Sequence, residues 1–300
     1  MSENKNILAV KVDVDTLEGY LKGVPAMVEV LNKLNLKATF YFSFGPDNSG
    51  KAIFRIFRKG FISKMLRTKA PSTYGLKTMM YGTLLPAPMI VKDHPQVFID
   101  TVKAGHECGV HAWDHVKWQD KLPKLSYAEI RADLLKAVEL FEKLSGKKPH
   151  TFAAPGWQVT ANALAALDSL SFDYVSNGRE GKKPFYPIFE GKNFKTLEIA
   201  STLPTMDEIL GLDGINDETI ADFYLNSLKP GLNVITVHGE MEGRSKLKQF
   251  EAILRGAIKR GYTICPLKDV AKNSIDAKEG ELTMGYLKGR AGKVAIQKIK

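Results

Sequence analysis

With 300 residues, 44% hydrophobic and 25% charged, the chain can bury a large core in one soluble domain and is too apolar to be a disordered polyelectrolyte. No apolar run approaches the roughly 18 residues of a helical membrane span, and two cysteines do not make a disulfide framework. The formal net charge of +10 is concentrated: no acidic residue lies between Asp47 and Asp93, while Lys51, Arg55, Arg58, Lys59, Lys64, Arg67, Lys69, Lys77 and Lys92 do.

Taken in order, the chain alternates apolar strand-like runs with amphipathic helical ones. Residues 1–6 pass into the first strand, at residues 7–14, without a secretory h-region, which gives the expectation of a cytosolic protein or one attached to a cytosolic membrane face. Period-two alternation puts Asp13 and Asp15 on one side of that strand's end. A helix is expected over 24–34, with Pro25 near its start, and a buried strand over 38–43.

An insertion at about 45–95 carries the basic charge. In it Lys51, Arg55 and Arg58 alternate with Phe54, Phe57, Phe61 and Met65. On a helix broken near Gly60 this gives a wide apolar face flanked by cations, which suits either a membrane interface or packing with a solvated charged edge.

After a helix at 97–104 comes a short strand ending at His111. His111 and His115 are four apart, so on one helical turn they share a face and can clamp one metal ion. Ser126 and Glu129 form a capping box for a helix to about Leu144, and Gly146 ends it. Further strands are expected at 151–154, 173–176, 196–200, 233–237 and 262–265, with helices at 162–169, 217–228 and 246–260. Cys108 and Cys265 fall in apolar surroundings and read as buried free thiols.

Repeated βα units imply a mainly parallel sheet, and no glycine-rich phosphate turn follows the first strand. A distorted (β/α)7-8 barrel therefore fits better than a doubly wound sheet. The expected organisation is one catalytic domain over 1–276, with residues 277–300 as a basic, loosely ordered tail. Strand ends carrying Asp13 and Asp15, His111 and His115, and His238 suggest a metal-dependent site. Asp15 followed by Thr16 also reads as a helix cap, and a strand-end histidine such as His238 as a hydrogen-bonded structural residue.

With those residues in place, the sequence resembles the polysaccharide deacetylase family, which shares the NodB homology domain, over most of 7–270. The resemblance rests on Asp13-Val14-Asp15, His111-Ala112-Trp113-Asp114-His115 and Ile235-Thr236-Val237-His238. It is closer to the ArnD-type deformylases, which act on 4-deoxy-4-formamido-L-arabinose attached to undecaprenyl phosphate. Phe44-Gly45-Pro46-Asp47-Asn48, Thr202-Leu203-Pro204-Thr205 and Thr263-Ile264-Cys265-Pro266-Leu267 look like that subfamily.

The resemblance implies a NodB-type barrel hydrolysing an N-acyl amino sugar. Asp15, His111 and His115 would hold one divalent ion (Zn, Mn or Co), with Asp13 as general base and His238 as general acid. A backbone N–H of the loop with Pro155, Gly156 and Trp157 would face the oxyanion. The family's third motif carries Arg and Tyr around its proline, and this chain has neither there, so Arg179 is the candidate to tune the base.

The implied partners are a lipid-linked amino-sugar substrate, as in lipid A modification with 4-amino-4-deoxy-L-arabinose, and an anionic membrane surface at the cytoplasmic face of the bacterial inner membrane. No nucleic acid is implied. The alternatives are deacetylation of an N-acetylhexosamine on polyprenyl phosphate, an Asp-x-Asp glycosyltransferase, or a non-catalytic binding module.

Overall fold

The computed structural model describes residues 6–52 and 77–298. Strand β1 (Ile7–Val14) is its axis. Leu8, Val10, Val12 and Val14 join the large core between sheet and helices, while Ala9 belongs to a second, smaller cluster inside the barrel. Strands β2 (Thr39–Phe42), β3 (Glu107–Val110), β4 (Thr151–Phe152), β5 (Tyr174–Val175) and β8 (Leu197–Glu198) follow one another in parallel from β1. β9 (Leu232–His238) takes the other edge of β1 from Ile7 to Asp13.

The ring closes without a ladder. Thr202 N–H and Leu203 N–H, just past β8, donate to the Val234 carbonyl at 3.0 and 3.2 Å. Ser201 and Thr236 hydroxyls meet at 2.7 Å. The barrel thus has seven staves. β10 (Thr263–Cys265) is a partial eighth: it pairs only with Ile7–Ala9 of β1, and β2 takes over from Lys11. This is the expected distorted (β/α)7-8 barrel.

The helices are α1 (Val24–Lys33), α2 (Pro95–Lys103), α3 (His115–Lys121), α4 (Tyr127–Ser145), α5 (Ala161–Ser169), α6 (Met206–Ile209), α7 (Ile220–Ser227), α8 (Leu247–Lys259) and α9 (Leu267–Lys272); α9 closes the strands' N-terminal end, with Leu267 and Val270 in the inner cluster. The Ser126–Glu129 capping box and the left-handed Gly146 that bound α4 are both present. At the strands' N-terminal ends the lumen is plugged by polar groups. Glu107, buried, accepts from Thr39 Oγ1 (2.5 Å), Tyr174 OH (2.6 Å) and the Lys268 N–H (3.0 Å), and lies 2.9 Å from His150 Nε2. Tyr41 OH meets Thr151 Oγ1 at 2.8 Å beside it.

The tail is corrected. Rather than being loosely ordered, β11 (Lys278–Tyr286) and β12 (Lys293–Gln297) form an antiparallel hairpin, and β11 pairs in parallel with β6 (Phe185–Phe189). β6 also pairs with the short β7 (Lys192–Asn193) and with β8. Both cysteines are free; burial pushes the Cys265 thiol up to about 12 and raises Cys108 further. Lys51 is exposed. Phe54, Arg55, Phe57, Arg58, Phe61 and Met65 lie outside the described residues. No helix among the described residues is long and apolar enough to cross a membrane.

Candidate active site

Strand register assembles the site. Asp13 is directly opposite His238 across the β1–β9 pair, and the Gly239 N–H donates to the Asp13 carbonyl at 2.9 Å. Asp15 follows one residue beyond β1, at the same rim as His111 beyond β3. His111 Nε2 is 3.2 Å from Asp15 Oδ1, and His115 Nε2 is 3.2 Å from Asp15 Oδ2.

The two histidines do not share a helical turn as expected. His111 ends a strand, Ala112 turns the chain with φ 73°, and His115 opens α3. A left-handed alanine is strained. It is held because Phe44 and Gly45 N–H groups donate to the Ala112 and Trp113 carbonyls at 3.2 and 2.8 Å. Gly45 has to be glycine, since a Cβ there would lie 2.5 Å from the Trp113 carbonyl oxygen. Asp114 caps α3 by accepting from Lys117 N–H (2.9 Å) and from Asn48 Nδ2 (2.7 Å).

The donor set fits a cation. One ligand atom each from Asp15, His111 and His115 lie within 4.8 Å of one another. His111 Nδ1 is 2.8 Å from the Ala153 carbonyl, which can only accept, so Nδ1 carries the proton and Nε2 presents a lone pair. That lone pair faces a buried carboxylate oxygen with no hydrogen-bond partner. Two electron-rich atoms at this separation call for a positive charge between them. Burial raises the Asp15 carboxyl, but positive charge on the His115 and His111 side outweighs it and holds it well below the usual range, the same demand for a cation. Burial works against protonation of His238, yet Asp15, Asp207, Glu242 and Asp13 raise it.

The cation beside Asp13 is not Arg179. Lys11, fully buried two residues earlier on β1, sets its Nζ 3.4 Å from Asp13 Oδ2 and donates to the Ser176 carbonyl at 3.1 Å. Burial lowers its pKa, while Asp13 and Glu198 raise it. The other oxygen, Asp13 Oδ1, is buried without a hydrogen-bond partner. Arg179 is engaged elsewhere: it donates to both Glu208 oxygens (2.7 and 2.9 Å) and stacks 4.5 Å from the Trp157 ring centroid. The structure does not bring Arg179 to Asp13 as expected, because a buried bidentate pair leaves the guanidinium committed to Glu208.

Pro155, Gly156 and Trp157 form a tight turn after β4, with Gly156 at φ 59° and Trp157 at φ 54°. The Trp157 N–H closes that turn on the Ala154 carbonyl at 3.0 Å, which removes it as an oxyanion donor. Sequence reasoning also missed Glu240 and Glu242, both buried. Burial and the Asp15 charge keep Glu240 well above the ordinary carboxyl range, and burial lifts Glu242 to about 7. Glu242 accepts the His238 N–H at 2.8 Å. Two carboxyl groups directly after a strand-end histidine were the available signal.

The polysaccharide deacetylase family model matches residues 13–175. A Shewanella sediminis protein named "Probable 4-deoxy-4-formamido-L-arabinose-phosphoundecaprenol deformylase ArnD" is 34% identical over 297 residues, covering 98% of this chain and 96% of that protein. A protein of the same name from Wigglesworthia glossinidia brevipalpis is 33% identical, covering 85% and 89%. In fold, the chain superposes with TM-score 0.65 on a crystal structure from Mycobacterium smegmatis, of a protein provisionally named polysaccharide deacetylase, at 17% identity and 96% and 97% coverage.

Proposed function

This chain belongs to the polysaccharide deacetylase family, hydrolases of amide C–N bonds, and on that premise we propose that it removes the N-formyl group of 4-deoxy-4-formamido-L-arabinose carried on undecaprenyl phosphate. The observation that carries the reading is the full-length likeness to deformylases of that name. The rim of Asp13, Asp15, His111, His115 and His238 supplies chemistry suited to it.

Asp15, His111 and His115 would hold one divalent ion, which when bound polarises an amide carbonyl and acidifies water. Asp13 accepts the proton of the attacking water on Oδ1, the oxygen that Lys11 leaves free. His238, opposite it, delivers a proton to the departing nitrogen. Formate leaves and the amino sugar remains. Lys11 sets a buried cation beside the Asp13 carboxylate, the place that the resemblance gives to the third-motif arginine of the family.

The substrate's carrier places the enzyme at a membrane. The cationic and aromatic sequence from Lys51 to Met65 supports attachment to anionic lipid; the place we propose for it is the cytoplasmic face, in the service of lipid A modification. The deciding experiment supplies metal-loaded protein with formamido- and acetamido-sugar polyprenyl phosphates. Release of formate from the first is expected. Release of acetate only moves the reading to a deacetylase, and release of neither refutes it. Vesicle sedimentation of a variant lacking residues 51–69 tests the attachment, and undiminished binding refutes it.

A further inference from the structure

We propose that the C-terminal hairpin is a working part of the active site and that Arg290, near its tip, is the positioning residue that holds the Trp157 turn. Gly156 and Trp157 are consecutive residues in the left-handed region. For tryptophan that conformation is strained and persists only where its surroundings fix it.

The hairpin supplies those surroundings. The Arg290 guanidinium lies 4.6 Å from the Trp157 ring centroid, Nη2 is 3.4 Å from the Gly156 carbonyl oxygen, and Nη1 is 3.6 Å from Glu208 Oε1. Glu208 is the same carboxylate that fixes Arg179, the second guanidinium over the ring. β12 also holds Gln158, which follows the turn, and Arg179, whose guanidinium lies over the Trp157 ring. Gln158 Nε2 donates to the Lys293 carbonyl at 2.7 Å. Arg179 N–H donates to Ala295 at 2.9 Å, and Gln297 N–H returns to Arg179 at 3.0 Å. At the tip, Gly289 packs so closely on α6 that a Cβ would sit 2.0 Å from the Glu208 carbonyl oxygen.

The turn matters because of what adjoins it. Ala153, four residues before Trp157, accepts the hydrogen bond that sets the His111 tautomer. The Trp157 ring lies 5.6 Å from the Lys11 Nζ that touches Asp13. Moving the ring therefore disturbs the anchor of a metal ligand and the neighbour of the base together, and small displacements of such groups are costly in rate. An arginine with only 10% of its side chain exposed, in a segment otherwise rich in exposed lysine, is spent on this contact.

The test compares Arg290→Ala, Arg290→Met and Arg290→Lys in the full chain, and rests on the deformylase reading only for its kinetic arm. In Arg290→Ala and Arg290→Met, kcat is expected to fall about tenfold with KM unchanged, and Arg290→Lys to recover most of it. Independently, acrylamide quenching of Trp157 is isolated by subtracting the matching variants that also carry Trp157→Phe. It should rise in Arg290→Met and return in Arg290→Lys. Unchanged kcat, or unchanged Trp157 quenching, overturns the proposal. If Arg290→Ala does not fold, the Met and Lys pair decides. If the wild type turns over neither lipid substrate, the deformylase reading fails while the quenching arm still judges the clamp.

Discussion

Asp114 stands between two proposed metal ligands without being one of them, and its replacement should loosen the metal site from behind. Asp114→Ala removes the α3 cap, worth about 1 kcal/mol. It also strands the amide of Asn48, which is 6% exposed and donates to Asp114 Oδ2 at 2.7 Å; an orphaned buried donor costs about 1–3 kcal/mol. Together these give about 2–4 kcal/mol, a fall in Tm of about 3–6 °C for a chain of this size. His115 is the first residue of that helix, so metal affinity should drop about tenfold to a hundredfold. Thermal melts followed by circular dichroism read the first effect, and competition with a chromophoric chelator reads the second. Asp114→Asn keeps an acceptor for the Lys117 N–H but faces Asn48 Nδ2 with a second donor, so it should restore the capping part of the loss and not the remainder. If Asp114→Ala matches wild type in Tm and in metal affinity, the capping network does not position His115.

Three further outcomes follow from the same geometry. Glu107→Gln should cost about 2–4 kcal/mol at pH 7 by weakening charged hydrogen bonds. Burial raises the Glu107 carboxyl, but His150, Thr39, Tyr174 and the Lys268 N–H bring it below the ordinary range. Its stabilisation is therefore full above the unfolded value of about 4.3 and lost as pH falls through the lower folded value, so the Tm gap between wild type and Glu107→Gln must narrow below that pH; a constant gap contradicts the assignment. Lys11→Met leaves Asp13 near no buried cation and should destabilise by about 3 kcal/mol while lowering kcat; denaturant melts and kinetics check both, and wild-type kcat in this variant removes Lys11 from the mechanism. His111→Ala should abolish stoichiometric metal retention after dialysis, measured by elemental analysis, and full retention would remove it from the ligand set.

Much of the architecture was legible because strand periodicity survives in a barrel whose outer face is apolar. Leu8, Val10, Val12 and Val14 announce β1, and Asp13 and Asp15 announce its working end. Lys11 was equally visible as a charge inside an apolar run, but its meaning depends on Ser176 and Asp13 meeting it inside the lumen. The histidine pair was identified from its spacing while its local conformation was misread. Four residues suit a helical turn, and only the contacts of Phe44 and Gly45 with the Ala112–Trp113 backbone impose a strand end, a turn and a helix start instead. Arg179 could not be placed because its partner, Glu208, is 29 residues away. The tail looked unstructured because its strands are largely polar; β11 pairs with β6, and Leu282 and Ala295 join a small apolar cluster with Phe185, Phe189 and Phe194.

The polar plug beneath the lumen makes the barrel a cup and not a tube. Glu107, Thr39, Thr151, Tyr41 and Tyr174 stop one end with bonded side chains, while Asp13, Asp15 and the histidines occupy the opposite rim. Among the described residues, the end of the cup that is not plugged is the one that carries the site. On the proposed function, the sugar would be offered to that end with its carrier chain outside the cup. Whatever surface delivers the substrate must face that opening, so the direction of traffic is set before any lipid contact is made.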